Sequence, residues 1–393
     1  MREGWTYKKL GDTLIFDKRF QGLNGEKQEK IVTFSHVSAE EMKNIVVESG
    51  NVRLLSTGNF TGFTTIEKAG ASLNKGEVIT IPTGGTANIK YYKGLFVDSG
   101  NIIGVAINSS IVLRYIYYAM LANNEIINSY YRGASIKHPY MPDIYKLPIP
   151  IPPTLEQQQI VSELDLLSSV IEKQKAQIEE LDKLAKSIFY DMFGDPVENE
   201  KGWEKKRIGD LASIKTGPFG SMLHKDDYIS NGIPLVNPMH MKDFHVVADM
   251  DFTITEEKAN ELSNYILQKN DIIFARRGDI GRCAVISEKE EGYLCGTGSL
   301  YVRFAGAIAP VYVMYIVRTD SFSQELISKA RGATMLNLNS NTIADLCIPL
   351  PPLSLQQEFA QKIEAIEAMK SKARQSLKES ETLFNSRMDY YFN

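Results

Sequence analysis

Cysteine is scarce in this chain of 393 residues: Cys283, Cys295 and Cys347 are odd in number and scattered. That argues against a disulfide framework and fits a reducing, cytoplasmic setting. Long apolar runs are missing as well. The most apolar stretch, NIIGVAINSSIVLRYIYYAML from Asn101, is broken by Asn108, Ser109, Ser110 and Arg114 and falls short of a membrane span. The opening MREGWTYKKL is charged within its first three residues and lacks an apolar centre, so it does not read as a secretory signal. There is no G-x-x-x-x-G-K-[ST], which argues against nucleotide use by this chain. His240 and His245 are five apart, unlike the i, i+4 pair of a zinc helix, so no metal site is expected. Basic excess is missing too: 44 Lys and Arg stand against 48 Asp and Glu, a net charge of -4, without the usual signature of a phosphate-binding protein.

The distribution of charge softens that last exclusion. Residues 154–193 hold eight acids and four bases and so carry the whole net charge, leaving the rest of the chain neutral. With 43% hydrophobic and 23% charged residues, the chain can bury real cores, and its length favours two or three domains.

What is abundant is repetition. GWTYKKLGD from Gly4 returns as GWEKKRIGD from Gly202, and RGASIKHPYMPDIYKLPIPIPP from Arg132 returns as RGATMLNLNSNTIADLCIPLPP from Arg331. Between them LNKGEVI from Leu73 resembles LQKNDII from Leu267. Near-constant spacing at the start, middle and end of each half points to a duplicated unit of about two hundred residues, too long for a solenoid repeat.

Each copy ends in a helix. Ile160, Leu164, Leu167, Ile171, Gln174, Ile178, Leu181, Ala185, Ile188 and Met192 alternate at spacings of four and three, a heptad seam with one polar interruption at Gln174. Thr154 with Gln157 suggests a capping box, and Gly194 followed by Pro196 a stop. Phe359, Ile363, Ile366, Ala373, Leu377, Phe384 and Tyr391 repeat the seam more weakly, with Ser354 and Gln357 as the matching box. Lys370, Ser380 and Arg387 interrupt this second seam, which calls for a partner surface broader than two strands. The expected fold class is therefore α+β: β-rich domains over 1–150 and 196–350 alternate with helical segments 151–195 and 351–393. NSSIVLRYIYYAMLANNEIINSYY and APVYVMYIVRTDSFSQELISKA read as helical late in each domain, and each IP-x-PP exit as an edge strand.

No catalytic set emerges. NPMH from Asn237 lacks the second proline and the aromatic of an amino-methyltransferase motif, and CGTGS and PTGGT read as tight turns. Binding features are better placed. IKTGPFGSML offers Lys215, Thr216, Gly217, Phe219, Gly220 and Ser221 in a loop where glycines admit close approach. FARRGDIGRCAV sets Arg276, Arg277 and Arg282 around glycines, guanidinium forks suited to phosphate or a guanine edge. In the first copy the polar, glycine-rich STGNFTGFTT and PTGGTANIK supply Thr57, Asn59, Thr83, Thr86, Asn88 and Lys90. Arg132 and Arg331 begin the loops before the exit strands.

With these passages in hand, the whole chain resembles the specificity subunits of type I restriction-modification systems. IPIPPTLEQQQI and IPLPPLSLQQEF follow that family's entry into its helices, with Thr154 for the usual leucine and Leu355 for the usual glutamate. The Trp-x-x-[KR]-[KR]-[LI]-G-[DE] openings, TGPFGS at Thr216 and D-I-I-x-x-R-x-G at Asp271 are also family-like, whereas the first domain has no TGPFGS equivalent. The resemblance implies two target recognition domains that read a split site in double-stranded DNA, and two antiparallel coiled-coil helices that act as a ruler. It implies two modification subunits, with S-adenosylmethionine, on the helices' outer faces. It also implies restriction subunits bringing ATP and Mg2+, with no chemistry on this chain. Two other readings stay open at this point: a self-sufficient DNA methyltransferase or nuclease with an unrecognised site, and a coiled-coil adaptor without DNA contact.

Overall fold

The structure, a computed structural model, describes residues 4–18, 32–219, 222–278, 280–306, 308–330 and 337–392. The chain forms two compact units, residues 1–175 with 375–393, and residues 176–374. Each unit therefore takes one globular part and a portion of each long helix. The helices run over Thr154–Phe193 and Leu353–Phe392, each about 60 Å long at 1.5 Å per residue. No described helix is long and apolar enough to cross a membrane.

In the first unit a six-stranded sheet has the order Leu14–Phe16, Ile102–Ala106, Asn74–Ile81, Lys90–Asp98, Val52–Leu55, Thr61–Thr64. All pairings are antiparallel except Val52–Leu55 with Lys90–Asp98. The β-branched run Val78 to Ile81 is fully buried, with Ile79 and Ile81 facing Tyr115, Ile116 and Ala119 of a helix over Leu113–Ala122. His36 lies between the buried carboxylates of Asp17 (2.8 Å) and Asp98 (2.7 Å), whose hydrogen bonds raise its pKa to about 9.

The repeated opening and exit passages turn out to be partners. Thr6–Lys9 pairs antiparallel with Pro148–Ile151, and Leu10 N donates to Leu147 O at 2.8 Å. In the second unit Lys205–Arg207 pairs the same way with Cys347–Pro349, and Ile208 N donates to Leu346 O, again at 2.8 Å. Both are isolated two-stranded ribbons, the setting in which a strand lacking proline N–H donors is tolerated.

Neither expected capping box forms. Gln157 is buried: its Oε1 accepts from Val112 N at 2.9 Å, and its Nε2 donates to Ser110 O and Pro152 O. Thr154 Oγ1 donates to Ser110 O instead of closing the helix on itself. In the second copy the helix starts one residue before Ser354, and buried Gln356, not Gln357, accepts from Ala309 N at 3.0 Å and donates to Pro351 O. The local motif lost to a tertiary one, because the amide satisfies the free N–H that precedes a neighbouring helix. Tyr115 and Tyr312 repeat the pattern, donating to Pro150 O (2.7 Å) and Pro349 O (2.9 Å). The helical passages late in each domain are also broken, into Leu113–Ala122 and Asn124–Ser129, and into Pro310–Val317 and Asp320–Lys329.

Within the first unit, Ile160 and Leu164 pack with Met388 and Phe392, Glu163 meets Arg387 and Tyr391, and Gln174 Nε2 donates to Ser376 Oγ at 3.1 Å. Rising numbers on one helix meet falling numbers on the other, so the pairing is antiparallel. In the second unit Phe189 and Phe193 pack on Phe359, Tyr312 and Tyr315, while Lys370 Nζ lies 2.8 Å from both Asp182 and Glu367. Of the seam residues, Ile160, Leu164, Ile171, Ala185, Phe359, Ile363, Ile366 and Ala373 are buried. Leu167, Ile178, Leu181, Ile188, Leu377 and Phe384 are half-buried. The interruptions Lys370 and Arg387 face acids on the other helix, and Tyr115, Tyr118 and Tyr315 of the globular parts pack on Phe392, Phe384 and Phe359 of the second helix.

Candidate nucleic-acid interface

In the second unit a four-stranded sheet has the order Ala212–Thr216, Ser299–Phe304, Ile272–Ala275, Cys283–Val285. Its register pairs Thr216 with Leu300, Ala275 with Ser299 and Phe274 with Cys283. Gly217, Arg276 and Arg282 consequently leave the sheet at one end, although they are up to 65 residues apart in the chain.

That end is packed tightly by glycine. Gly217 N donates to Ser299 O at 2.9 Å, and a Cβ at Gly217 would lie 2.0 Å from Gly296 O. Asn237 Oδ1 accepts from Gly298 N at 3.2 Å, Arg276 N donates to Gly298 O, and Arg282 Nη1 donates to Pro238 O at 3.0 Å. Asn337 Oδ1 accepts from Arg276 Nε at 3.4 Å, and Leu338 N donates to Arg276 O. Burial, followed by the adjacent Arg277 charge, lowers the pKa of Arg276. Phe219 is 56% exposed, and exposed Lys215 reaches Asn264 Oδ1 at 3.4 Å. Thr216 is half-buried, Arg277 is exposed, and Gly220, Ser221 and Arg331 lie outside the described residues. Gly217→Ala is expected to force the two turns apart and destabilise this unit by about 1–3 kcal/mol, read as a lowered thermal midpoint. An unchanged midpoint would show that the turns yield freely.

In the first unit three loops meet. Asn88 Nδ2 donates to Gly58 O and Asn59 Oδ1, and Lys90 Nζ donates to Ser56 O (2.7 Å) and Gly58 O (2.6 Å). Burial lowers the pKa of Lys90. Asn88 and Lys90 thus brace the turn over 56–60. Thr57 N donates to Ser99 Oγ, and Thr83 Oγ1 donates to Gly100 O. Asn59 and Thr86 are exposed. Arg132 donates to Asp143 Oδ2 at 2.6 Å and lies 3.8 Å over the Tyr140 ring, so it anchors its own loop.

Sequence reasoning missed Asn237 and Asn337. The first sat in a passage weighed only as a catalytic motif, and the second gains its meaning from a register formed some sixty residues away. Among the described residues no group of His, Cys, Asp and Glu has the makings of a metal site.

Known proteins carry this architecture. A type I restriction-modification system S subunit from M. genitalium has the same fold, with a TM-score of 0.63 at 15% identity over 99% of this chain and 96% of that one. The specificity subunits of the type I restriction enzymes MjaVIII and MjaIX of Methanocaldococcus jannaschii are 21% and 23% identical over 267 and 274 residues. These stretches cover 64% and 65% of this chain and span 63% and 62% of the two relatives. Residues 3–183 and 200–379 both match the type I restriction modification DNA specificity domain. With both copies matched over nearly their whole length, the chain belongs to the family of type I restriction-modification specificity subunits.

Proposed function

We propose that this chain is the non-catalytic, DNA-reading subunit of a type I restriction-modification complex in the cytoplasm. Residues 1–150 and 196–350 each read one half of a split target in double-stranded DNA, and the helical segments 151–195 and 351–393 set the unread spacer. The observation that carries the reading is the end of the second unit's sheet, where Lys215, Phe219, Arg276 and Arg277 are presented beside tightly packed glycine turns. Such turns let backbone approach a duplex while arginine forks reach phosphate or base edges.

The long helices also support a protein partner. Leu155, Leu166, Leu383 and Tyr390 in the first unit, and Leu184, Leu353 and Met369 in the second, are exposed apolar side chains on helices whose other faces are already packed. Apolar surface of this kind suits docking of modification subunits. Those subunits bring S-adenosylmethionine, and restriction subunits joined to the same core bring ATP and Mg2+.

Exchanging residues 1–150 for those of a relative tests the assignment. The expected outcome, read by mapping methylated adenines in cells that also carry the modification subunit, is a change in one half of the motif with the other half intact. Both halves changing, or neither, would contradict it.

A further inference from the structure

We infer that Ile136 is a base-reading residue that packs against the C5-methyl of a thymine in the half-site read by residues 1–150. This rests on the DNA-reading function proposed above and assigns a contact within it.

The short strands Tyr131–Arg132 and His138–Pro139 pair antiparallel, and the residues between them form an exposed loop. Ile136 is 62% exposed, the most exposed aliphatic side chain among the described residues outside the two long helices. An aliphatic group in that position is ordinarily either turned inward or carried on a mobile tip. Here it is neither. The loop is fastened to the neighbouring turn over 82–86 by Gly85 N donating to Lys137 O (2.9 Å), by the His138 imidazole Nδ1 meeting Thr83 O (2.6 Å), and by Tyr131 OH donating to Pro82 O (2.9 Å). Its base is held by Arg132 on Asp143 and Tyr140. Its bend is closed tightly: Gly133 has φ +146°, and a Cβ there would lie 2.2 Å from Ile136 O. A Cβ on Gly84 would lie 3.4 Å from Ile136 Cγ2, so the side chain rests beside a bare glycine turn and projects past it.

The surroundings select the partner. Ile136 adjoins Lys137, with Thr83, Thr86 and, through Asn88, Asn59 in the same loop cluster. A cationic, amide- and hydroxyl-bearing rim around one rigid aliphatic group fits the major groove, where thymine alone offers an apolar methyl among donors and acceptors. A purely protein partner is less well matched, because the exposed apolar side chains here, Ile136 with the less exposed Phe60 and Tyr140, are set among polar and cationic groups. In the second unit Leu338, which follows the corresponding R-G-A passage in the chain, donates its N–H to Arg276 O. The sequence there again places an apolar residue, Met335, four after the arginine of R-G-A.

The test uses the chain assembled with its modification subunits, and duplexes carrying the mapped target in which the thymines of one half are replaced singly by deoxyuridine. Removing one methyl from the contact is expected to weaken wild-type binding about three- to fivefold at one position in the half read by residues 1–150. Ile136→Ala is expected to bind thymine and uracil duplexes alike at that position while keeping its response to changes in the other half. Lys137→Ala is expected to weaken both duplexes equally and to flatten the salt dependence. Specific binding in which Ile136→Ala keeps full thymine-over-uracil discrimination, or a wild-type complex indifferent to uracil throughout this half, overturns the inference and leaves the DNA-reading function intact. A wild-type complex with no sequence preference overturns that function itself.

Discussion

Lys370→Ala is expected to destabilise the second unit by about 1–3 kcal/mol, the cost of leaving two half-buried acids without the buried cation they share. The Lys370 side chain is 4% exposed and its Nζ lies 2.8 Å from Asp182 Oδ1 and 2.8 Å from Glu367 Oε1. Around it Arg318 reaches Asp182 at 3.6 Å and His245 reaches Glu367 at 3.7 Å. Burial alone pulls the Glu367 pKa upward, but the hydrogen bonds from His245 and Lys370 outweigh it and bring the value down to about 2. A carboxylate whose pKa is lower in the folded state stabilises the fold above its unfolded value of 4.5, and that contribution is lost as pH falls from there towards 2. The wild type should therefore lose stability in this window, and in Lys370→Ala, where the Glu367 carboxyl is freed from that downward pull, the acid-dependent loss should be smaller. Lys370→Met combined with Glu367→Met should recover part of the loss, since apolar packing substitutes well for a buried pair. The chain has two tryptophans, Trp5 and Trp203, one in each unit, so urea unfolding followed by fluorescence in a Trp5→Phe background reports the second unit. A single substitution that leaves the urea midpoint unchanged would show that the charges are held by solvent rather than by each other.

Removing a heptad from one helix is expected to abolish assembly, whereas removing matched heptads from both shortens the unread spacer. The matched heptads are 172–178, which holds Gln174, and 373–379, which holds its partner Ser376. Deleting only 172–178 moves Asp182 one heptad away from Lys370 and breaks every polar layer on one side of the cut. Deleting both segments restores the layers and removes about 10 Å of helix, equal to about three base pairs. Three base pairs also turn the duplex by roughly 100°, so the paired variant should bind more weakly while it methylates a motif with the shorter spacer. Sizing of the complex and methylated-adenine mapping read the two variants. A paired deletion that methylates the original motif at full strength would remove the helices from the role of ruler.

How much of this was written in the sequence depends on the range of the interaction. The duplication was legible because each opening passage must match its own exit passage: Thr6–Lys9 and Pro148–Ile151 are two sides of one ribbon. The long helices were legible from spacing alone. The role of Gln157 was not, since a glutamine three residues after a threonine looks the same whether it caps its own helix or serves Val112 N. Phe189 and Phe193 lie outside the main seam and are buried where Tyr312, Tyr315 and Phe359 arrive from elsewhere. Asp243 and Phe244 both take left-handed backbone conformations, φ 48° and 64°, at a turn where asparagine and glycine are the usual residues. Nothing local announces that turn, and its setting is tertiary: the Arg318 guanidinium lies 3.9 Å over the Phe244 ring. For the candidate interface, residue types marked out the loops proposed to meet DNA. Only strand register could tell that Lys90 and Asn88 brace a turn, while Asn59 and Thr86 face outward.

One feature of the fold bears on how the protein is made. The first unit is closed by residues 375–393, which leave the ribosome about 200 residues after its main segment ends at residue 175. At roughly 5 to 20 residues per second that delay is about 10 to 40 s, during which Ile160, Leu164 and Tyr115 lack Met388 and Phe392. The second unit is one continuous segment and has no such wait. The half of the protein synthesised first is therefore the half completed last, and it is the one exposed to chaperones and proteases while translation continues.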